Sequence, residues 1–303
     1  VVAADRLLDK LNRGDTKSLH AEMSAENKSD YTYEDLRRLA SKIIRERGLL
    51  LSHAAPIVTG NSALLRVKVE RGDWFATFWL DQVGRLRGFS FVDPPRSIPV
   101  PTRNLIRMRL PFEGEWVVTS GGDDPGENHH LEQQSEFQAR AFDFSILDAS
   151  GKGYRGSGDR NEDYYCYSRK VVAPADGVVC VVIDGVPDDR PGIVNPIASG
   201  GNSVILHHAS LEYSAFHHLR PGSISVKVGD RVAAGQTLGL CGNSGNSSGP
   251  HLHFHMMNSD IPMEATGFAV YFDRVVVRRR GEQRAVVKED YTPSAGDNLR
   301  QKE

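Results

Sequence analysis

The sequence predicts two domains: a small α+β unit, then a larger all-β unit with a mostly antiparallel sheet. Three observations carry this reading. Helical spacing of apolar residues is confined to the first fifty positions. A break rich in proline, DPPRSIPVP (Asp93 to Pro101), follows the first strands. From about Val100 onwards the chain consists of short strand-like runs between glycine-rich turns. A length of 303 residues is also long for one hydrophobic core. We place the α+β unit at 1–93, a stiff linker at 94–101, the β unit at 102–285 and a loose polar tail at 286–303.

In the first unit, Leu7, Leu8 and Leu11 stripe one short helix, and Leu36, Leu39, Ile43 and Ile44 stripe a second. SALLRVKVERGDWFATFWLDQVGRLRGFSF then reads as three strands joined by two turns. The first turn contains Arg71-Gly72-Asp73 and the second Asp81-Gln82-Val83-Gly84. The Arg-Gly-Asp tripeptide is read as turn chemistry, not as an adhesion signal. Two helices with a short antiparallel sheet, carried by GDWFATFWLDQVGRLRGF, resemble the cystatin-like or nuclear-transport-factor-like cones that precede bacterial envelope enzymes. The resemblance implies an accessory or positioning role, and this segment holds no catalytic constellation.

In the second unit, VVAPADGVVCVVIDGV, GGNSVILHHA, EYSAFHHL, GSISVKVGDRVAAGQTLGLCGNSG and HLHFHMM are the strand-like runs. GPHLHFHMM is the densest in chemistry. Alternation on a strand sends His251, His253 and His255 to one side and Leu252, Phe254 and Met256 to the other, so a buried apolar face would present three imidazoles to a cleft. The same alternation predicts that His217 faces away from its neighbour His218. His207 and His208 read as polar residues of strand faces or turns.

The charge balance narrows the partners. Lysine and arginine (37) nearly cancel aspartate and glutamate (39), and the basic block Arg278-Arg279-Arg280 stands alone. Neither nucleic acid nor an anionic membrane surface is expected. No apolar run reaches transmembrane length. A start at Val1-Val2-Ala3-Ala4, without methionine, hints at a removed leader and at export. Cys166, Cys180 and Cys241 form no CxxC pair and read as structural; in an exported protein one disulfide is open to them, with three pairings. No pattern in the chain indicates an oligomeric state.

The stretch from Gly121 to Phe272 resembles the lysostaphin-type (LytM-like) zinc metalloendopeptidases, which cut peptide bonds in bacterial peptidoglycan. The motif-bearing part is GNSVILHHASLEYSAFHHLRPGSISVKVGDRVAAGQTLGLCGNSGNSSGPHLHFH. The resemblance implies a Zn2+ cofactor, peptidoglycan peptides as the partner, and a place outside the cytoplasm. His253, the second histidine of His-Leu-His, is implied as a zinc ligand. His251, the first, and His218 of FHHL are implied as catalytic histidines. Asp143 of RAFDFSI matches the aspartate of a His-x-x-x-Asp ligand pair.

At this pair the sequence departs from the pattern, because Ala139 stands four residues before Asp143. Catalytic zinc usually keeps three protein ligands and an open position. The nearest imidazoles upstream are His129 and His130 of ENHHLEQQ, and the resemblance to members with an upstream N-x-H segment favours His130, with His129 as the alternative. His255 stands where the family usually carries glutamate and is assigned to a shell behind the ligands, orienting one of them.

Three other readings fit the sequence less well. A metal-free relative that binds cell wall or activates an amidase is disfavoured by filled positions at Asp143, His218, His251 and His253, and kept open by Ala139. VKVGDRVAAGQTLGL resembles half of a biotinyl or lipoyl domain, yet no lysine lies between Lys227 and Met257 to carry the group. Gly245-Asn246-Ser247-Ser248-Gly249 matches G-x-S-x-G, but Pro250 and a strand follow it instead of a helix. The loops DASGKGYRGSGDRNEDYYCYSRK and DGVPDDRPGIVNPIASGG are expected to wall the cleft.

Overall fold

The computed structural model describes residues 2–23, 32–53, 57–59, 62–80, 86–92, 98–132, 136–195, 198–261 and 265–302. The chain divides into two compact units, Val1–Arg96 and Ser97–Glu303.

The first unit opens with α1 (Val2–Arg13), α2 (Thr16–Ala21) and α3 (Tyr33–Arg47). α3 starts with a capping box. Thr32 accepts from the Asp35 amide while Asp35 accepts from the Thr32 amide, so two orphan donors are met reciprocally. Leu36, Ala40 and Ile43, one helical face, are buried. A five-stranded antiparallel sheet follows: β1 (Leu50–His53), β2 (Ile57–Thr59), β3 (Ser62–Val69), β4 (Gly72–Leu80) and β5 (Leu86–Val92), in the order β1-β3-β4-β5 with β2 also on β3. The first predicted turn is tighter than expected. Gly72 and Asp73 already pair with Val69 and Lys68, which leaves Glu70 and Arg71 as the turn. The second, Asp81 to Gly84, lies outside the described residues, as do linker positions 93–97.

The second unit is built on an eleven-stranded antiparallel sheet. Its strands are β6 (Glu115–Ser120), β7 (Phe142–Ser145), β9 (Gly177–Ile183), β10 (Asn202–Ala209), β11 (Glu212–Leu219) and β12 (Arg231–Val232), then β14 (Leu252–Met257), β15 (Gly267–Phe268), β16 (Val275–Arg278), β17 (Val286–Lys288) and β18 (Asn298–Gln301). β8 (Lys170–Val172) and β13 (Thr237–Leu240) form a separate ribbon. The order is β12-β9-β10-β11-β14-β7-β6-β18-β16-β17, with β15 against β14. HLHFHMM therefore lies mid-sheet between β11 and β7. One face of it packs into a core of Trp116, Phe142, Phe144, Phe216, Leu252, Phe254, Met256 and Phe272. The Phe216 and Phe254 rings are 5.3 Å apart. Burying such a set supplies the main favourable term in folding, at about 2 kcal/mol per large side chain.

The tail is a correction to the expectation from composition. Residues 298–301 form β18, inserted between β6 and β16, and Leu299 is fully buried opposite Trp116 and Val277. One apolar residue is enough here, because both neighbouring strands offer unpaired amides and carbonyls that β18 satisfies. β17 is an edge strand, and its residues are exposed.

Candidate metal centre

Three adjacent strands bring the site together. Asp143 on β7 is the direct partner of His253 on β14, and His253 is in turn the direct partner of His217 on β11. Residues opposite each other across a sheet share one face, so all three side chains rise on the side away from the aromatic core.

The Asp143 carboxylate is the focus. Its Oδ1 is 3.0 Å from His253 Nδ1 and 3.5 Å from His251 Nε2, and its Oδ2 is 3.1 Å from His130 Nε2. His129 Nε2 is further, at 3.8 Å. Asp143, His130 and His253 are all buried. Donor atoms of His129, His130 and Asp143, and separately of His218, His251 and His253, lie within 4.8 Å of one another. Three imidazole nitrogens and a carboxylate crowded into one buried spot are a donor set that suits zinc. The residues present therefore fit that ion.

His130 reaches the centre although Ala139 cannot. A 3-10 turn, His129–Glu132, carries both histidines. Buried Asn128 holds that turn. Its Oδ1 accepts from the His130 amide at 3.1 Å, and its Nδ2 donates to the Gly122 carbonyl at 2.8 Å. The side chain of His130 is 4 % exposed and that of His129 56 %. His129 instead turns its Nδ1 to Ser120 Oγ at 2.8 Å.

His218 and His251 share a hydrogen-bond logic. His218 Nδ1 donates to the Ser244 carbonyl at 2.8 Å, and His251 Nδ1 donates to the Gly249 carbonyl at 2.8 Å. Each bond places the ring proton on Nδ1 and leaves Nε2 bare. The two rings are 4.8 Å apart.

His217 is the second correction. It does not face away: both His217 and His218 line the cleft. Asn202 and Val204 of β10 pair with Leu219 and Phe216 of β11, so β11 carries one extra residue there. His218 takes a left-handed backbone, φ 59°, which turns it back to the same side as its neighbour. A bulge of this kind has no signature in FHHL.

Burial favours the neutral form of His217, His218 and His253. Burial pushes His218 well below the ordinary imidazole value, and neighbouring His251 pushes the same way. Burial lowers His253 too, opposed by its bond to Asp143. His217 is lowered to about 3, chiefly by burial. For Asp143, burial acts to raise the carboxyl, but the facing His251, His130 and His253 outweigh it and hold it well below the usual range. A carboxylate and neutral imidazoles are the protonation states that metal binding requires.

The cleft above the centre has a volume of about 230 Å³; Gln138, Ser199, Gly200, Asn246 and Ser248 complete its lining. None of these five has a signature in the sequence, since Gln, Ser, Asn and Gly in turns carry no distinctive pattern. The two predicted wall loops are tied together at Asn243, whose Nδ2 donates to Asn161 Oδ1 at 3.0 Å and to the Asp189 carbonyl at 2.9 Å. Tyr167 donates to Asp188 at 2.8 Å across the same loops. Cys166 and Cys241 are buried core thiols, and Cys166 donates to the Pro250 carbonyl at 3.0 Å, next to His251.

Residues 163–265 match the family described as Peptidase family M23. The peptidoglycan DD-endopeptidase ShyA of Vibrio cholerae is 35 % identical over 103 residues, 32 % of this chain and 23 % of its own. The glycyl-glycine endopeptidase ALE-1 of Staphylococcus capitis is 41 % identical over 63 residues, 20 % of this chain and 17 % of its own. The chain thus spans less than a quarter of the length of these two relatives. The catalytic domain of lysostaphin from Staphylococcus simulans aligns with a TM-score of 0.30 at 21 % identity, over 51 % of this chain and 88 % of that one. The matched segment contains His218, His251 and His253. Over residues 163–265, then, this chain is similar to the peptidases of family M23.

Proposed function

We propose that the protein is a zinc-dependent endopeptidase that hydrolyses peptide bonds of bacterial peptidoglycan outside the cytoplasm. The observation that carries the reading is the carboxylate of Asp143 between His130 Nε2 and His253 Nδ1, at 3.1 and 3.0 Å, beside two histidines with bare Nε2 atoms. Zinc held by His130, Asp143 and His253 would supply Lewis acidity, lowering the pKa of water and polarising the scissile carbonyl.

The chain's own residues do the rest. A bare Nε2 of His218 or His251 takes a proton from water as its oxygen attacks the carbonyl carbon. The imidazolium so formed hydrogen-bonds the developing oxyanion or returns its proton to the leaving amine as the C–N bond breaks. Bonds from Nδ1 to backbone carbonyls keep both rings oriented throughout. Ser199 and Gly200 of the second loop line the cleft, and the two loops tied at Asn243 would select the peptide.

The two relatives named above are a DD-endopeptidase and a glycyl-glycine endopeptidase, so both kinds of cross-bridge belong in the test. The N-terminal unit, helices followed by an antiparallel sheet, is read as a cystatin-like or nuclear-transport-factor-like accessory domain. Purified full-length chain is expected to bind about one zinc and to release fragments from sacculi of at least one cross-bridge type, with His251→Ala inactive. Protein that binds no zinc, or that releases nothing from any sacculus, overturns the reading.

A further inference from the structure

The core of the second unit holds two thiols that the reaction does not use. Cys166 lies near the end of the first wall loop, and Cys241 directly follows β13. Both are fully buried members of the same core. Backbone hydrogen bonds bring their segments together. The Ser168 amide donates to the Cys241 carbonyl at 2.8 Å, and the Cys241 amide donates to the Arg169 carbonyl at 2.8 Å. The Arg169 amide in turn donates to the Cys166 carbonyl at 3.1 Å, and Ser168 takes a left-handed backbone, φ 61°. A tight turn over 166–169 thus folds Cys166 back beside the residue that pairs with Cys241.

The two side chains meet. The Cys241 thiol lowers that of Cys166, and burial, joined by Cys166, raises Cys241 well above the ordinary thiol value. Cys180 is placed differently: it is half-buried on β9, and its Sγ donates to the Val178 carbonyl of its own strand at 3.6 Å. Of the three pairings open to the cysteines, the fold brings one together. Adjacent backbones are what a disulfide requires, and Cys166 and Cys241 have them.

We propose that Cys166 and Cys241 form a disulfide in oxidising surroundings, which fastens the first wall loop to the turn leading into His251. Two S–H bonds break and one S–S bond forms, while two electrons and two protons pass to a disulfide donor, which leaves as two thiols. Both sulfurs are buried in the folded chain, so the exchange takes place during folding, before the core closes over them. Closing the loop between positions 166 and 241 restricts the unfolded chain. Cys166 Sγ also lies 3.0 Å from the carbonyl of Pro250, the residue before His251. Oxidation gives up that bond, but a thiol is a weak donor, so the loss is small beside the loop closure. Ser145 Oγ, 3.5 Å from Cys166 Sγ, can still donate to a disulfide sulfur. The inference draws on the proposed function only for the oxidising surroundings.

The test is the thiol state of the full chain exported to a bacterial periplasm. Cells are lysed into denaturant with iodoacetamide, and the chain is digested without reduction for mass spectrometry. Cys180 is expected to be alkylated, and the peptides bearing Cys166 and Cys241 to appear as one linked species that separates on reduction. Chain made in a reducing cytosol should melt about 5–15 °C below the exported chain. That difference should persist in Cys180→Ser and vanish in Cys241→Ser. Alkylated Cys166 and Cys241 in the exported chain overturn the proposal, as does a link that includes Cys180, even if Cys241→Ser does not fold. Equal melting temperatures of the two preparations overturn the fastening. The step needs neither zinc nor substrate, so its failure leaves the proposed function standing, and a chain that takes up no zinc leaves the disulfide standing.

Discussion

Asp143 and His253 face each other across paired strands, with Oδ1 and Nδ1 3.0 Å apart. This contact links residues 110 positions apart in sequence, and the rest of the centre is arranged around it. It divides the histidines into those that would hold metal and those that would move protons.

The division is testable by two substitutions. His253→Ala should abolish zinc binding and activity together. His218→Ala should keep about one zinc per chain and lose activity by roughly 10²- to 10⁴-fold, the range for a general acid or base. Metal analysis beside a fragment-release assay separates the two; loss of zinc in His218→Ala would move that residue into the ligand set.

His130 and His129 are neighbours with different burial and different reach. His130→Ala should weaken zinc binding by at least about 100-fold, as expected when one of three protein ligands is lost. His129→Ala, which removes an exposed ring bonded to Ser120, should weaken it by no more than about threefold. Chelator competition on the two variants decides, and the reverse ranking would assign the ligand to His129.

The metal-free protein should lose stability as pH falls through the histidine range. His217, His218, His253 and His255 all have folded values below the ordinary imidazole value, largely through burial. A group with a depressed folded value contributes stability above its unfolded value, near 6.5, and loses that contribution as pH drops below it. His217, lowered to about 3, should alone cost about 2 kcal/mol at pH 5. Asp143 is depressed below 3.8, so its contribution is lost only below that pH and does not enter this window. Urea unfolding of metal-free protein from pH 7.5 to 5 measures it; a flat midpoint would contradict buried neutral imidazoles.

The C-terminal strand should matter to stability out of proportion to its polarity. Leu299→Ala leaves a hole between Trp116 and Val277 and should cost about 3 kcal/mol. Denaturant unfolding of the isolated variant checks this, and an unchanged midpoint would mean that β18 does not pack as described.

The sequence by itself determined the strand that carries the histidines. In GPHLHFHMM, a period of two with Leu252, Phe254 and Met256 on one side has one solution in water: bury that side and gather the imidazoles on the other. It also determined the order of α+β before all-β, through helical spacing in Leu36 to Ile44 and glycine-punctuated strands later. Three matters only the tertiary structure decided. His130 reaches Asp143 because Asn128 pins a 3-10 turn, which depends on a carbonyl, Gly122, that no spacing rule identifies. His217 enters the cleft because one extra residue on β11 reverses the alternation, and a bulge is set by the partner strand. Residues 298–301 become a strand because β6 and β16 leave a row of backbone donors and acceptors between them. Local pattern speaks for a residue's own period and burial, whereas these three outcomes depend on backbone groups that distant segments leave unsatisfied.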